Sequence, residues 1–290
     1  MNVPLLYLQD HLTELSLAPT VGASLVNWRV KATGEPLLRP SDAAALASAS
    51  PRKLACHPLA PWSNRIAEGG FARPDGWQAL HPNTEQDPYP IHGTAWQQPW
   101  QVAHHSDRRA RLVLESETPF AYQATLDVQL QDGCLTLDLH ITHRDAKPSW
   151  HGLGLHPYFP RYPGTRLQAL AGQVWLGEPG RLPTRQAEIP EDWRFDTASA
   201  LPARLVDHAF DGWTGGCVIE QPGYRLECQA QDAGLFLLYC PPGQEFFCFE
   251  PVSHPINAHH LPGRPGLRLL HEEDEVSLGW QMRYLPTRPR

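Results

Sequence analysis

Leucine and isoleucine recur at every second position through Leu135, Leu137, Leu139 and Ile141, with Thr136, Asp138, His140 and Thr142 between them. Successive side chains of a β-strand point to opposite faces, so this pattern predicts a strand with one buried and one polar face. Leu126, Val128 and Leu130 keep the same step upstream, and Asp132-Gly133 lies between the two runs, which is a strong hairpin signal. Val276, Leu278, Trp280 and Met282 alternate with Ser277, Gly279, Gln281 and Arg283 near the end. Further strands are expected over 23–30, 110–116, 217–220, 224–230, 234–240 and 246–250, with turns at Gln221-Pro222-Gly223 and Pro241-Pro242-Gly243. Thirty prolines and 22 glycines disfavour a mostly helical chain. Segment 43–47 could form a helical turn or two, though 41–50 reads equally well as loop. With no Pro/Ser-rich linker and no internal repeat, residues 1–290 are expected to form one large antiparallel all-β domain. Its long loops, 61–99 and 157–166, carry much Pro, Gly and aromatic content, and binding residues often sit on such loops.

At 41% hydrophobic residues the chain can bury a sizeable core. The net charge of −7 and the lack of any Lys/Arg run argue against nucleic acid as a partner. No stretch approaches the roughly 18 apolar residues of a membrane span, and the first ten residues lack the basic region and apolar core of a signal peptide. The six cysteines form no CxxC pair, which excludes a zinc ribbon or a thioredoxin-like motif. Several lie in apolar runs, so they read as reduced core cysteines of a cytoplasmic protein.

Three ionisable residues stand where their neighbours should be buried: His92 in Ile91-His92-Gly93, His156 in Gly154-Leu155-His156-Pro157-Tyr158-Phe159, and Glu250 after Phe246-Phe247-Cys248-Phe249. A buried ionisable group must be paired, neutralised or functional. A carboxylate ending an apolar strand would be desolvated, its pKa raised toward neutrality, making it a better general base. If that strand end meets water, Glu250 is ordinary. Segment 91–93 could equally be a β-turn with Gly93 supplying positive φ. Asn64 and Arg65, in Pro61-Trp62-Ser63-Asn64-Arg65-Ile66, could hydrogen-bond a polyhydroxylated ligand or form a surface turn.

Taken in order, these segments resemble the aldose 1-epimerase (galactose mutarotase-like) family. The resemblance runs through Asn64-Arg65-Ile66, Ile91-His92-Gly93, Leu155-His156-Pro157-Tyr158-Phe159, Asp207-His208-Ala209-Phe210 and Phe249-Glu250-Pro251, with Asn257-Ala258 closing the last motif. It implies a β-supersandwich, no cofactor or metal, and a small-molecule sugar substrate whose α and β anomers interconvert by ring opening and reclosure. It also implies Glu250 as general base, His156 as general acid, and His92 as donor to a sugar oxygen, with a six-membered ring fitting between His156 and Glu250. Arg65 and Asp207 would fix sugar hydroxyls, with Asn64 as a further candidate. Trp62 and Trp96 are candidates to stack on an apolar sugar face.

The lead-in His57-Pro58-Leu59-Ala60-Pro61-Trp62-Ser63 and the stretch Gly93-Thr94-Ala95-Trp96 depart from galactose mutarotases, marking a divergent branch. Reaction type should carry over better than galactose specificity. A hexose-phosphate mutarotase would share the acid–base pair but need cations, for which Arg73, Arg161 and Arg166 are candidates. A non-catalytic carbohydrate-binding protein on the same fold should have lost His156 or Glu250. The histidines His104-His105, His254 and His259-His260 fit no zinc signature and read as solvated loop residues, with His259 and His260 on opposite sides of an extended segment.

Overall fold

The computed structural model describes residues 3–177 and 182–287. Two antiparallel sheets dominate it. The larger orders nine strands as Phe195–Ala200, Arg166–Ala169, Gly216–Gln221, Tyr224–Gln231, Glu275–Pro286, Cys134–His143, Tyr122–Gln131, Arg109–Ser116 and Gln101–His105. The second runs Pro183–Ala187, Gln173–Gly177, Val206–Asp211, Leu235–Cys240, Phe246–Val252, Gly154–Leu155 and Pro58–Leu59, and Tyr158–Pro160 also pairs with Phe246–Val252. This is the all-β architecture that the alternation predicts. The hairpin at Asp132-Gly133 pairs Cys134 with Gln131 and brings Leu137 opposite Val128 and Trp280. The turns at 221–223 and 241–243 both join neighbouring antiparallel strands. Residues Ala43–Ala47 form one short α-helix, capped by the Asp42 carboxylate accepting from the Ala45 N–H.

The period-two rule explains where the core lies. Phe210, Phe236, Phe247 and Phe249 point from the second sheet toward the first, and all are fully buried. Phe236 stacks on Phe249 at 4.4 Å, and Phe249 meets Trp280 of the larger sheet at 6.2 Å. Each buried aromatic of this kind stabilises the fold by roughly 1.5–3 kcal/mol before entropy is counted. The residues in between, Asp207, Leu237, Tyr239, Cys248 and Glu250, therefore share the opposite face of that sheet.

Three expectations need correction. Glu250 does not end its strand, because pairing continues through Val252 opposite Leu235. His254 and His259 are buried rather than solvated, at 2% and 3% exposure. Residues Ala258–His260 form a 3-10 turn, so His259 and His260 do not alternate as on an extended segment. All six cysteines are buried and free. Among the described residues, no helix is long and apolar enough to cross a membrane.

Candidate active site

Asn64, Arg65, His92, His156, Asp207 and Glu250 all line one cleft of about 470 Å³. That is the size of a small-molecule site, about 300–1,000 Å³ in general. Asp207 and Glu250 come from the same face of the second sheet, on strands separated by Leu235–Cys240. His156 sits between two short strands at the sheet's edge, its backbone N–H donating to the His57 carbonyl at 2.9 Å. The two loops over the sheet supply the rest.

These loops lock together through backbone that few residues adopt. Asn64 and His92 both have positive φ, +57° and +63°. The His92 N–H donates to the Asn64 carbonyl, and the Asn64 N–H donates to His92 Nδ1 at 3.1 Å. Nδ1 is thus an acceptor, and the ring proton sits on Nε2. A Cβ on Gly93 would lie 2.0 Å from the Ala60 carbonyl oxygen, so the loop approach requires glycine there. Strain of this kind persists only where surroundings enforce it, and it concentrates at functional sites. Asn257 braces the same loop, accepting from the Ala67 N–H through Oδ1 and donating its own N–H to the Arg65 carbonyl.

Arg65 is aimed by three acceptors. Its Nε donates to Asp87 Oδ2 at 2.7 Å and its Nη1 to Asn64 Oδ1 at 3.2 Å, while Asp207 Oδ2 stands 3.8 Å from Nη1. Asn64 is therefore an orienting residue as much as a ligand candidate.

His156 Nε2 lies 3.3 Å from Glu250 Oε1. Drawn formally this is an ion pair, yet burial drives both groups to neutrality. Burial, with Asp207's charge adding, holds the Glu250 carboxyl well above the usual range. Burial, with the Arg39 and Arg52 charges adding, pulls His156 down to about 3. Both shifts favour the neutral forms, a protonated carboxyl beside a neutral imidazole, so a proton can pass between the two atoms. Among the described residues, Glu250 Oε2 and His156 Nδ1 are buried without a hydrogen-bond partner. The 3.3 Å contact also corrects one expectation: there is no room for a six-membered ring between the two side chains.

Trp62 and Trp96 are not on the cleft wall. Both are buried, at 1% and 3% exposure. The Trp96 indole N–H donates to the Ile91 and Gly93 carbonyls, and its ring packs beside His57 and His92. The aromatic wall is Tyr158, Tyr239 and Phe246. Arg73, Arg161 and Arg166 do not converge on the cleft either: Arg73 pairs with Asp75, Arg161 donates to the Pro202 carbonyl, and Arg166 to that of Ala198.

Sequence reasoning missed Arg39, Arg52, Asp87 and His57. His57 stacks on His156 at 4.7 Å, and His156 on Tyr158 at 4.6 Å. His57 belongs to the lead-in that departs from galactose mutarotases, which was its one visible signal. His156, Cys248 and Glu250 present donor atoms within 4.8 Å of one another, a spacing that could hold a metal ion. Burial pushes the Cys248 thiol up, which makes it a poor anionic ligand.

Comparison with known proteins identifies the family. The family model for aldose 1-epimerase matches residues 5–280. The uncharacterized protein YphB of Escherichia coli strain K12 is 34% identical over 239 residues, covering 78% of this chain and 81% of that one. A crystal structure from Escherichia coli K12, provisionally assigned as an aldose 1-epimerase, superposes with a TM-score of 0.92 at 29% identity, covering 98% of this chain and 99% of that one. A galactose mutarotase-like protein of Clostridium acetobutylicum shares the fold at a TM-score of 0.84 and 17% identity, covering 95% and 93% of the two chains. The chain belongs to the aldose 1-epimerase family.

Proposed function

We propose that the protein is a cofactor-free mutarotase that interconverts the α and β anomers of an aldose. The observation carrying this reading is the buried His156–Glu250 pair, 3.3 Å apart, on a cleft lined by hydrogen-bonding side chains. The anomeric hydroxyl and the ring oxygen are both bonded to C1, so two groups standing side by side can reach both. As the sugar's hydroxyl donates to Glu250, the resting proton crosses to His156. Glu250 then takes the C1 hydroxyl proton while His156 protonates the ring oxygen, and the C1–O bond of the ring breaks. Rotation about the C1–C2 bond of the aldehyde turns its other face to the ring hydroxyl. Reclosure reverses both proton transfers. His92 Nε2–H donates to the oxygen on which negative charge gathers, and Arg65 with Asp207 fixes hydroxyls, which supplies orientation.

Polarimetry or proton NMR of freshly dissolved α-aldoses tests this. Wild type should equilibrate at least one of a panel of neutral, acidic, phosphorylated and sulfonated aldoses well above the buffer rate. Glu250→Gln should lose about 10³-fold or more in kcat with KM little changed. Full activity in Glu250→Gln would remove the base from the mechanism, and buffer rates across the panel would remove the enzyme.

A further inference from the structure

We propose that Arg39 and Arg52 form an anion-binding subsite at the rim of the cleft, and that the substrate is an aldose carrying a negative charge away from C1. The inference rests on the mutarotase reading and names the substrate class it takes.

The two arginines differ from the third in the cleft. Arg65 is occupied by carboxylates. Among the described residues, neither Arg39 nor Arg52 has a carboxylate within 4 Å. Both are half-buried, where a cation without an anion is costly. Arg39 is nonetheless held still. Its Nη2 donates to the Arg52 carbonyl at 2.7 Å and the Leu54 carbonyl at 2.6 Å. Its guanidinium carbon lies 3.7 Å over the Tyr158 ring and 4.8 Å from that of Phe246. Arg52 lies 5.1 Å over Trp96, and among the described residues its side chain makes no hydrogen bond. Pre-set, planar guanidiniums with spare donors are suited to oxyanions.

The position also fits a sugar substituent. Tyr158 links Arg39 to His156 through contacts of 3.7 and 4.6 Å, which bounds their separation to the length of a substituted hexose. A second cavity of about 640 Å³ shares Arg39, Arg52 and Phe246 with the cleft and adds Lys53 and Asp42, whose carboxylate caps the short helix. The cations thus stand where one space opens into another, with room for a group larger than a hydroxyl. With Glu250 held neutral, the cleft has three guanidiniums, those of Arg39, Arg52 and Arg65, against the carboxylates of Asp87 and Asp207. The whole chain carries a net charge of −7, so this local excess does not follow from general basicity.

The test compares anomerisation of neutral hexoses with hexoses bearing a 6-phosphate, a 6-sulfonate or a 6-carboxylate, which separates the sources of the charge. Wild type should favour at least one anionic sugar by about tenfold or more in kcat/KM, chiefly through KM. Arg52→Gln and Arg39→Gln should each reduce that preference by about tenfold or more. Added salt should lower kcat/KM for the anionic sugar and leave the neutral one nearly unchanged. Equal or better turnover of neutral sugars by wild type would overturn the proposal, as would equal losses on both classes in both variants. Should no sugar be accelerated, the enzyme reading fails separately. Calorimetric titration with inorganic phosphate then decides the subsite: weaker binding to Arg52→Gln than to wild type supports it, and equal or absent binding overturns it.

Discussion

His156 and His254 are both deeply buried, and burial pulls both imidazoles down, to about 3 and about 4. Their hydrogen bonding separates them. His254 Nε2 accepts the Ser63 N–H at 3.0 Å and its Nδ1–H donates to the Pro255 carbonyl at 2.8 Å, so the ring is closed off. His143 is closed in the same way, between His151 and the Lys147 carbonyl. His156 touches Glu250 through one nitrogen, and among the described residues its Nδ1 has no hydrogen-bond partner. An open nitrogen alone does not mark a site, for His259 has two and packs 4.3 Å from Phe71, off the cleft wall. Its place on the cleft wall beside a buried carboxylate singles out His156. The closed rings hold the walls: His254 pins the segment that carries Asn64 and Arg65.

The sharpest way to break this contrast is substitution on each side. His156→Gln, which keeps volume, should lower kcat by about 10²–10⁴-fold with stability within roughly 1 kcal/mol of wild type. His254→Ala should do the reverse. It leaves the Ser63 N–H without a partner and should cost about 2 kcal/mol in urea unfolding, with kcat within about threefold. A large kcat loss in His254→Ala at unchanged stability would erase the distinction.

Stability against pH is where the two histidines should behave alike. Their folded pKa values lie below the ordinary 6.5, so the unfolded chain takes up protons first as pH falls. The stability each contributes is whole above pH 6.5 and is lost on acidification, at about 1.4 kcal/mol per pH unit per histidine, until the folded group itself titrates. Glu250 acts in the opposite sense. Its folded pKa is raised, so its contribution is whole below about pH 4.5 and fades as pH rises through the folded value. Urea midpoints between pH 4.5 and 6.5 should fall steeply with acid, and His156→Gln and His254→Ala should each shallow the slope by similar amounts. A slope unchanged in both variants would mean that neither ring is neutral in the folded protein.

The sheets were legible because period-two alternation is a local signal, as at Leu135–Ile141 and Val276–Met282. The cleft was legible only through motifs. His92, His156 and Glu250 stand out against apolar neighbours, and Arg65 and Asp207 came with the family pattern. Asp87, Arg39 and Arg52 sit in segments with no periodicity, and nothing local marks a side chain whose partner is far along the chain. Arg39 meets Tyr158 and Phe246, and Asp87 meets Arg65, through contacts that only the folded chain creates. Trp62 and Trp96 failed for the converse reason. A tryptophan beside a functional motif can face the ligand or support the motif from behind, and sequence does not tell front from back.

Trp96 gives the smallest effect and tests that last distinction. Its indole N–H bonds the Ile91 and Gly93 carbonyls on either side of His92, at 3.3 and 3.2 Å. Trp96→Phe keeps most of the ring and deletes these bonds. Loss of scaffold predicts about 1 kcal/mol of stability and a fall of a few-fold in kcat/KM, as His92 gains freedom. A sugar-stacking Trp96 predicts the opposite pattern, KM raised about tenfold with stability unchanged, because the contact would exist only with ligand bound. Its 3% exposure favours the first outcome, since a face sealed by His57 and His92 has no room for a ring.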